Sequence, residues 1–180
     1  MKSVWVALAL LLPACSGSGA ADAPDRQPVP ERIVPWDSVV FTNSSWGRPV
    51  NSWQVNADGT GYWAETKSAN GQPFGPYTVV YHDLAVGEDG VRKLALMMGD
   101  IPDPAPSTTG CKEFATDMNY GRLTIASGPA LRSVEWNAGC HDAEYRLFMG
   151  QLVAADRLVE QWGRAAPVSR EEKGNEAKGN

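Results

Sequence analysis

Two histidine–aspartate pairs are the first residues whose types could do chemistry, because a histidine oriented by a carboxylate can act as a general base. His82 precedes Asp83, and His141 precedes Asp142. A hydrolase also needs a nucleophile, and the chain contains no Gly-x-Ser-x-Gly motif. Two histidines without a shared motif also make a poor zinc site. We therefore predict no catalytic residue and no metal site, and a hydrolase is the least favoured alternative.

A second chemical possibility is a calcium loop after residue 54. Asn56, Asp58, Gly59 and Glu65 fall at positions 3, 5, 6 and 12 of an EF-hand loop. Position 1 would be Gln54, where an ionised aspartate is expected. The Asp-Gly pair is also a strong signal for a tight hairpin. We predict a hairpin turn here, and no cofactor for the chain.

The N-terminal residues have the layout of an export signal. Lys2 precedes an apolar run over residues 4–12, which is far short of the roughly 20 residues that a membrane-spanning helix needs. The tetrad Leu12-Pro13-Ala14-Cys15 then resembles the lipobox of bacterial lipoprotein precursors. Pro13 departs from the family pattern, in which a small or hydroxylated residue is more usual at that position. The resemblance covers residues 1–16 only.

This resemblance implies an address for the protein. Residues 1–14 are expected to be a signal peptide, and Cys15 is expected to carry the lipid, including palmitate-type acyl chains, that holds the protein on a membrane. In that family an aspartate after the cysteine commonly retains the protein at the inner membrane, and here that residue is Ser16. The resemblance therefore implies the periplasmic face of the outer membrane rather than the inner membrane. An ordinary secretory signal with an incidental cysteine is the alternative.

The other two cysteines then form a pair. An exported protein lives in an oxidising compartment, so Cys111 and Cys140 are predicted to form a disulfide. A redox or metal-binding pair is the alternative, but the chain has no Cys-x-x-Cys spacing.

Composition excludes one class of partner. The 180-residue chain has a net charge of −5, and removing residues 1–14 takes away Lys2 and no acidic residue, which leaves −6. An acidic chain without a basic patch is a poor candidate for nucleic-acid binding. The apolar content of 43% is that of an ordinary globular domain.

The chain divides into a tether, one domain and a tail. Residues 15–35 are rich in Gly, Ser and Pro, which indicates a flexible tether behind the lipidated cysteine. Residues 36–166 are predicted to form a single domain. Residues 167–180 are rich in Glu, Lys, Gly and Asn and are predicted to be disordered.

Hydrophobic periodicity predicts an α+β fold. Strand-like segments occur at residues 39–41, 50–55, 62–64 and 77–82, and again at 122–125 and 133–136. Two stripes at helical spacing follow the two groups: one runs from Val91 to Met98, and the other from Tyr145 to Trp162 with Asp142 as a candidate N-cap. We predict an antiparallel sheet of about five strands with two helices on one face, in the order βββα-ββα.

Aromatic residues give the only candidate binding surface. Trp46 and Arg48 lie in a polar segment between strands, and tryptophan and arginine are favoured anchors for protein partners. Tyr62 and Trp63 follow the hairpin on opposite faces of one strand, so both cannot point into a single core. Three interpretations stay open: these aromatics fold back over the sheet, anchor a protein, or stack on cell-wall sugars.

The leading functional prediction is a non-enzymatic, lipid-anchored envelope protein that binds another envelope protein as an inhibitor or assembly factor. A cell-wall glycan-binding module is the alternative.

Overall fold

A computed structural model describes residues 33–69, 71, 75–99 and 101–174. All of them belong to one compact unit that begins at Arg32. The predicted signal peptide, Cys15, nearly all of the predicted tether and the last six residues of the predicted tail lie outside the described residues. No helix in the described part of the chain is long and apolar enough to cross a membrane.

The fold is α+β, with seven strands in one antiparallel sheet and two helices. The strands are β1 (Ser38–Ser45), β2 (Arg48–Asn56), β3 (Thr60–Ser68), β4 (Tyr77–Ala85), β5 (Tyr120–Ser127), β6 (Ala130–Asn137) and β7 (Val168–Gly174). Their spatial order is β6-β5-β1-β2-β3-β4-β7. Helix α1 (Gly87–Met98) follows β4, and helix α2 (Ala143–Ala165) follows β6.

The predicted class, antiparallel sheet and pair of helices are confirmed, whereas the strand count of about five is wrong. Four strands precede α1 where the predicted order has three. The other additional strand is β7, which occupies a segment for which the sequence predicted disorder. Its residues are nearly all exposed, so β7 is a charged edge strand with none of the apolar alternation by which buried strands are recognised.

The sheet has an inner face, covered by the helices, and an outer face. Phe41 of β1 is paired with Trp53 of β2 on one side and with Leu123 of β5 on the other, and all three side chains are buried. These residues form one core cluster with Leu94 of α1 and Leu152 of α2. Both helices therefore pack on the inner face. The alternate residues of each strand point to the outer face.

The two helical stripes lie where the sequence predicts them. In α1, Val91, Leu94 and Met98 are buried, and in α2 the buried set includes Tyr145, Phe148, Leu152, Ala155 and Val159. Asp142 occupies the predicted N-cap position, but its side chain makes no capping hydrogen bond. Its carboxylate instead accepts hydrogen bonds from the backbone N–H groups of Lys112 and Glu113.

The predicted disulfide between Cys111 and Cys140 is present, with Cα atoms 5.9 Å apart. It joins the segment after α1 to the residue that follows β6 by a short turn. The carboxylate of Asp142 lies close to both sulfur atoms. Because the sulfurs are bonded to each other, this cluster fastens two segments together and offers no thiolate ligands.

The hairpin between β2 and β3 contains the residues whose spacing also resembles a calcium loop. Oδ1 of Asp58 accepts hydrogen bonds from the backbone N–H and the hydroxyl of Thr60, at 2.9 and 2.6 Å. These two hydrogen bonds lower the pKa of Asp58. Gly59 has φ of +82°, a backbone conformation that glycine adopts without a steric penalty. The loop is a hairpin turn closed by its own side chains.

Candidate functional site

The turn between β1 and β2 displays Trp46. Trp46 and Gly47 both have positive φ, 53° and 72°, which is the pattern of a two-residue hairpin turn of type I′. The Trp46 side chain is 64% exposed. The Gly47 N–H donates to the hydroxyl oxygen of Tyr120 at 3.0 Å, which fastens the turn to the start of β5. The tryptophan thus projects from a short rigid turn.

Arg48 lies two residues further on and reaches across the outer face. Its Cζ lies 4.5 Å from the centre of the Tyr77 ring, which is a cation–π contact. Its guanidinium also donates to Oγ of Ser68 at 3.0 Å. The side chain therefore links β2 to β3 and β4.

Tyr62 and Trp63 lie on opposite faces of β3, as alternation requires. Tyr62 is half-buried on the outer face, where its ring centre lies 5.7 Å from that of Tyr81. Burial, together with the neighbouring Tyr81, raises the pKa of the Tyr62 phenol above its ordinary value of 10.0. The Tyr62 hydroxyl therefore stays protonated at neutral pH.

Trp63 does not contribute to any exposed surface. It is 1% exposed, and its ring packs 5.2 Å from that of His82 and under the guanidinium of Arg164. A Cβ added at Gly163 of α2 would overlap the indole, so the helix approaches the sheet closely at this point. Trp63 is therefore a core residue and is not available to bind a partner.

β7 adds residues that the sequence did not indicate. Cζ of Arg170 lies 3.7 Å from the centre of the Tyr81 ring, and the Tyr81 hydroxyl donates to Glu172 at 3.1 Å. Arg170 and Glu172 are themselves paired at 3.0 Å. We call the five residues Arg48, Tyr62, Tyr77, Tyr81 and Arg170 the tyrosine patch. It spans β2, β3, β4 and β7 on the outer face.

The other half of the outer face carries a polar groove. The cavity has a volume of about 780 Å³. Its lining includes the hydroxyl groups of Thr42, Ser44 and Thr124 and the segment 106–108. Arg122 and Glu135 cross it as an ion pair with an N–O distance of 2.6 Å. The groove is therefore hydroxyl-rich, and its charges are paired.

Asp156 of α2 is the ionisable group whose environment is most unusual among the described residues. Its Oδ1 accepts hydrogen bonds from Nδ2 of Asn51 at 2.7 Å and from the indole N–H of Trp53 at 3.0 Å. Asn43 extends this chain by donating to Oδ1 of Asn51 at 2.7 Å. Burial raises the pKa of Asp156 from 3.8 to about 6, although the two hydrogen bonds oppose that change.

Sequence reasoning missed Asp156, although one signal was present. Asp156 lies four residues after Leu152 and three before Val159, so a carboxylate falls beside the apolar stripe of α2. Its partners Asn51 and Trp53 share one face of β2. That the helix and the strand meet at these residues follows only from the packed structure.

The two histidines have different surroundings. His82 is buried, with its Nδ1 2.9 Å from the carbonyl oxygen of Ala166. Its Nε2 has no hydrogen-bond partner among the described residues. His141 is exposed immediately before α2, and its backbone N–H donates to the carbonyl of Glu113. The ring of His82 thus belongs to the packing of β4 against Trp63.

Comparison with known proteins identifies no matching family model, no similar curated protein and no similar solved structure.

Proposed function

We propose that this protein is a lipid-anchored lipoprotein of the bacterial envelope whose α+β domain binds another envelope protein without catalysing a reaction. The lipobox-like tetrad ending at Cys15 supports the anchor, and Ser16 supports the outer membrane, with the domain on its periplasmic face. Binding through the tyrosine patch is the role that we assign to the domain. Inhibition of the partner and assembly of a larger complex are the two forms that this role would take.

The tyrosine patch is the single observation that carries the binding role. Neither α1 nor α2 covers the outer face, because both pack on the inner face. Tyrosine and arginine are the residue types enriched at the energetic centres of protein interfaces. Tyr62, Tyr77 and Tyr81 project from hydrogen-bonded strands, so little conformational entropy is lost when a partner docks on them.

The chemistry of the patch favours a polypeptide over a sugar. A sugar ring binds by stacking on an open aromatic face. The guanidinium groups of Arg48 and Arg170 already lie over the rings of Tyr77 and Tyr81. The guanidinium group of arginine is suited to carboxylates and backbone carbonyls of a partner polypeptide.

The polar groove favours glycan binding as the second candidate function. Its volume of about 780 Å³ lies within the usual range for small-ligand sites. Thr42, Ser44 and Thr124 offer hydroxyl groups that can both donate and accept, which matches a neutral polyol. Because Arg122 and Glu135 neutralise each other, the groove provides no net charge for an ionic ligand.

Affinity capture from native membranes tests the protein-binding role. The full lipidated chain would be crosslinked in its own cells and compared with an R48A/Y62A variant and with an R122A control, which alters the other half of the same face. We expect a defined partner that is recovered with the wild type and with R122A and is lost with R48A/Y62A. Equal recovery with all three proteins would refute binding through the tyrosine patch.

Two further measurements separate the remaining parts of the proposal. A C15S variant is expected to leave the membrane fraction, and its retention there would refute lipid anchoring. Titration of wild type and R122A with soluble cell-wall fragments, followed by tryptophan fluorescence, addresses the groove. A saturable signal that R122A abolishes would move the function to glycan binding.

A further inference from the structure

A small cavity lies on the inner face beside the carboxylate of Asp156. Its volume is about 120 Å³, and its apolar walls are formed by Phe41, Trp136, Ala138, Met149, Leu152 and Val153. The polar side chains in its lining are Asn43, Asn119 and Asp156. A mostly apolar cavity with a few convergent polar groups is the usual form of a ligand site.

Asp156 is held in place by hydrogen bonds but forms no ion pair with any described residue. The N–H groups of Asn51 and Trp53 both donate to its Oδ1, which fixes the orientation of the carboxylate. No ion pair of the described residues includes Asp156. The charge of Arg157 lowers the pKa of Asp156, but this is the smallest of the causes, and the negative charge of Glu160 acts in the opposite direction. Because no described cation forms an ion pair with this partly buried carboxylate, its ionised form is costly to bury, and a bound cation would lower that cost.

We propose that the cavity beside Asp156 binds a primary ammonium group carried on a short alkyl stem. The ammonium would pair with Oδ2 of Asp156, to which the structure gives no hydrogen bond among the described residues. The stem would lie against Met149 and Leu152. The proposal does not depend on the tyrosine patch, which lies on the opposite face of the sheet.

The size and walls of the cavity select this class of ligand. A volume of 120 Å³ equals the share of about four waters in the liquid, which fits a stem of about four carbons. Phe41 and Trp136 are stacked with ring centres 5.4 Å apart, and together they give the alkyl stem an apolar wall. Calcium takes about six to eight oxygen ligands, of which one carboxylate and two amides supply only a part.

The geometry of the carboxylate also separates an ammonium from a guanidinium. Arginine binds carboxylates best through both oxygens in a bidentate pair. Oδ1 of Asp156 already accepts two hydrogen bonds from the protein, whereas Oδ2 accepts none from the described residues. A compact point charge such as an ammonium suits one oxygen better than a planar fork does.

The indole N–H of Trp53 is a direct reporter of this site, because it donates to Asp156. The full chain in non-denaturing detergent would be titrated with n-butylammonium, and the ¹⁵N–¹H signal of the Trp53 indole would be followed. 1-Butanol, which has the same stem without the charge, is the matched control ligand. We expect a saturable shift with n-butylammonium and none with 1-butanol at equal concentration. Equal shifts of the Trp53 signal with n-butylammonium and with 1-butanol would overturn the proposal.

Two variants assign the response to the carboxylate. D156N keeps an oxygen that can accept from Trp53 but removes the charge, and we expect at least tenfold weaker binding of n-butylammonium. D83N removes an exposed carboxylate on β4 and is expected to bind as the wild type does. Unchanged affinity in D156N would overturn the assignment.

The same ammonium could belong to a free amine or to a lysine side chain. N-acetyl-lysine amide and its Nε-acetylated form would therefore be titrated in parallel. A response to n-butylammonium alone assigns the site to free amines, and a response to the lysine amide that Nε-acetylation abolishes assigns it to a side chain. No response to either ammonium overturns the proposal.

Discussion

Replacing Asp156 by asparagine should change how the stability of the protein depends on pH. The pKa of Asp156 in the folded state is raised from 3.8 to about 6, chiefly by burial. Because one pKa unit corresponds to about 1.4 kcal/mol, ionisation of this carboxylate should oppose folding by about 3 kcal/mol. Because Asp156 is only partly buried, solvent screens part of this effect, and about 3 kcal/mol is its upper value.

The sign follows from the direction of the pKa change. A carboxyl group with a raised folded-state pKa contributes fully to stability below its unfolded pKa of 3.8, and that contribution is lost as pH rises through about 6. The asparagine side chain that replaces it in the variant is neutral at every pH. As pH rises from about 3.5 to about 8, the free energy of unfolding of D156N should therefore increase relative to that of the wild type, by up to about 3 kcal/mol.

Urea unfolding of both proteins across this pH range measures the effect. Only the difference between the two free energies is interpreted, because the other titrating groups, including Glu160 and Arg157 beside Asp156, are common to both proteins. The hydrogen bonds from Asn51 and Trp53 lower the pKa of Asp156, so N51A should enlarge the pH dependence of the wild type. If the difference in free energy of unfolding between D156N and wild type stays constant with pH, or falls as pH rises, the pKa of Asp156 is not raised in the folded state.

Three further predictions concern the scaffold. Replacing both bridged cysteines by alanine should lower the free energy of unfolding by about 3.5 kcal/mol, because the bridge restricts the unfolded chain across a sequence separation of 29. An unchanged urea midpoint would contradict this. G163A should destabilise the protein by about 1–3 kcal/mol, because the added Cβ would overlap Trp63. G150A on the same helix is the control: its Cβ meets nothing within 4 Å, so it should stabilise the protein by up to about 1 kcal/mol. A rise in Tm for both variants in thermal melting would contradict this. W46N should leave Tm unchanged or higher, because asparagine tolerates positive φ better than tryptophan, and a clear fall in Tm would show that the exposed indole stabilises the turn.

The parts of the fold that were predictable are those in which one residue pattern decides the outcome. The apolar stripes of α1 and α2 place both helices, because a face with period 3.6 can be buried only as a helix. The exclusive pairing of Cys111 and Cys140 followed from the lipobox resemblance at Cys15, and the structure contains that bridge. Tyr62 and Trp63 lie on opposite faces because they are adjacent in a strand.

The parts that were not predictable depend on contacts between distant segments. β7 has the charged sequence VSREEKG and is a strand only because β4 supplies a free edge and Tyr81 supplies a ring for Arg170. Trp63 was a candidate for binding because the sequence could not say which of the two aromatics faces the helices. The pairing of Asp156 with Asn51 joins residues 105 positions apart, and no local pattern encodes such a contact.

Site-specific photo-crosslinking in living cells tests whether the tyrosine patch contacts a protein partner, as we propose. A photoreactive phenylalanine would replace Tyr62 on the outer face or, as the matched control, Leu147, which is 76% exposed on α2. We expect a discrete crosslinked adduct from position 62 and none from position 147. The absence of an adduct from position 62, whether or not position 147 gives one, would contradict the proposed contact.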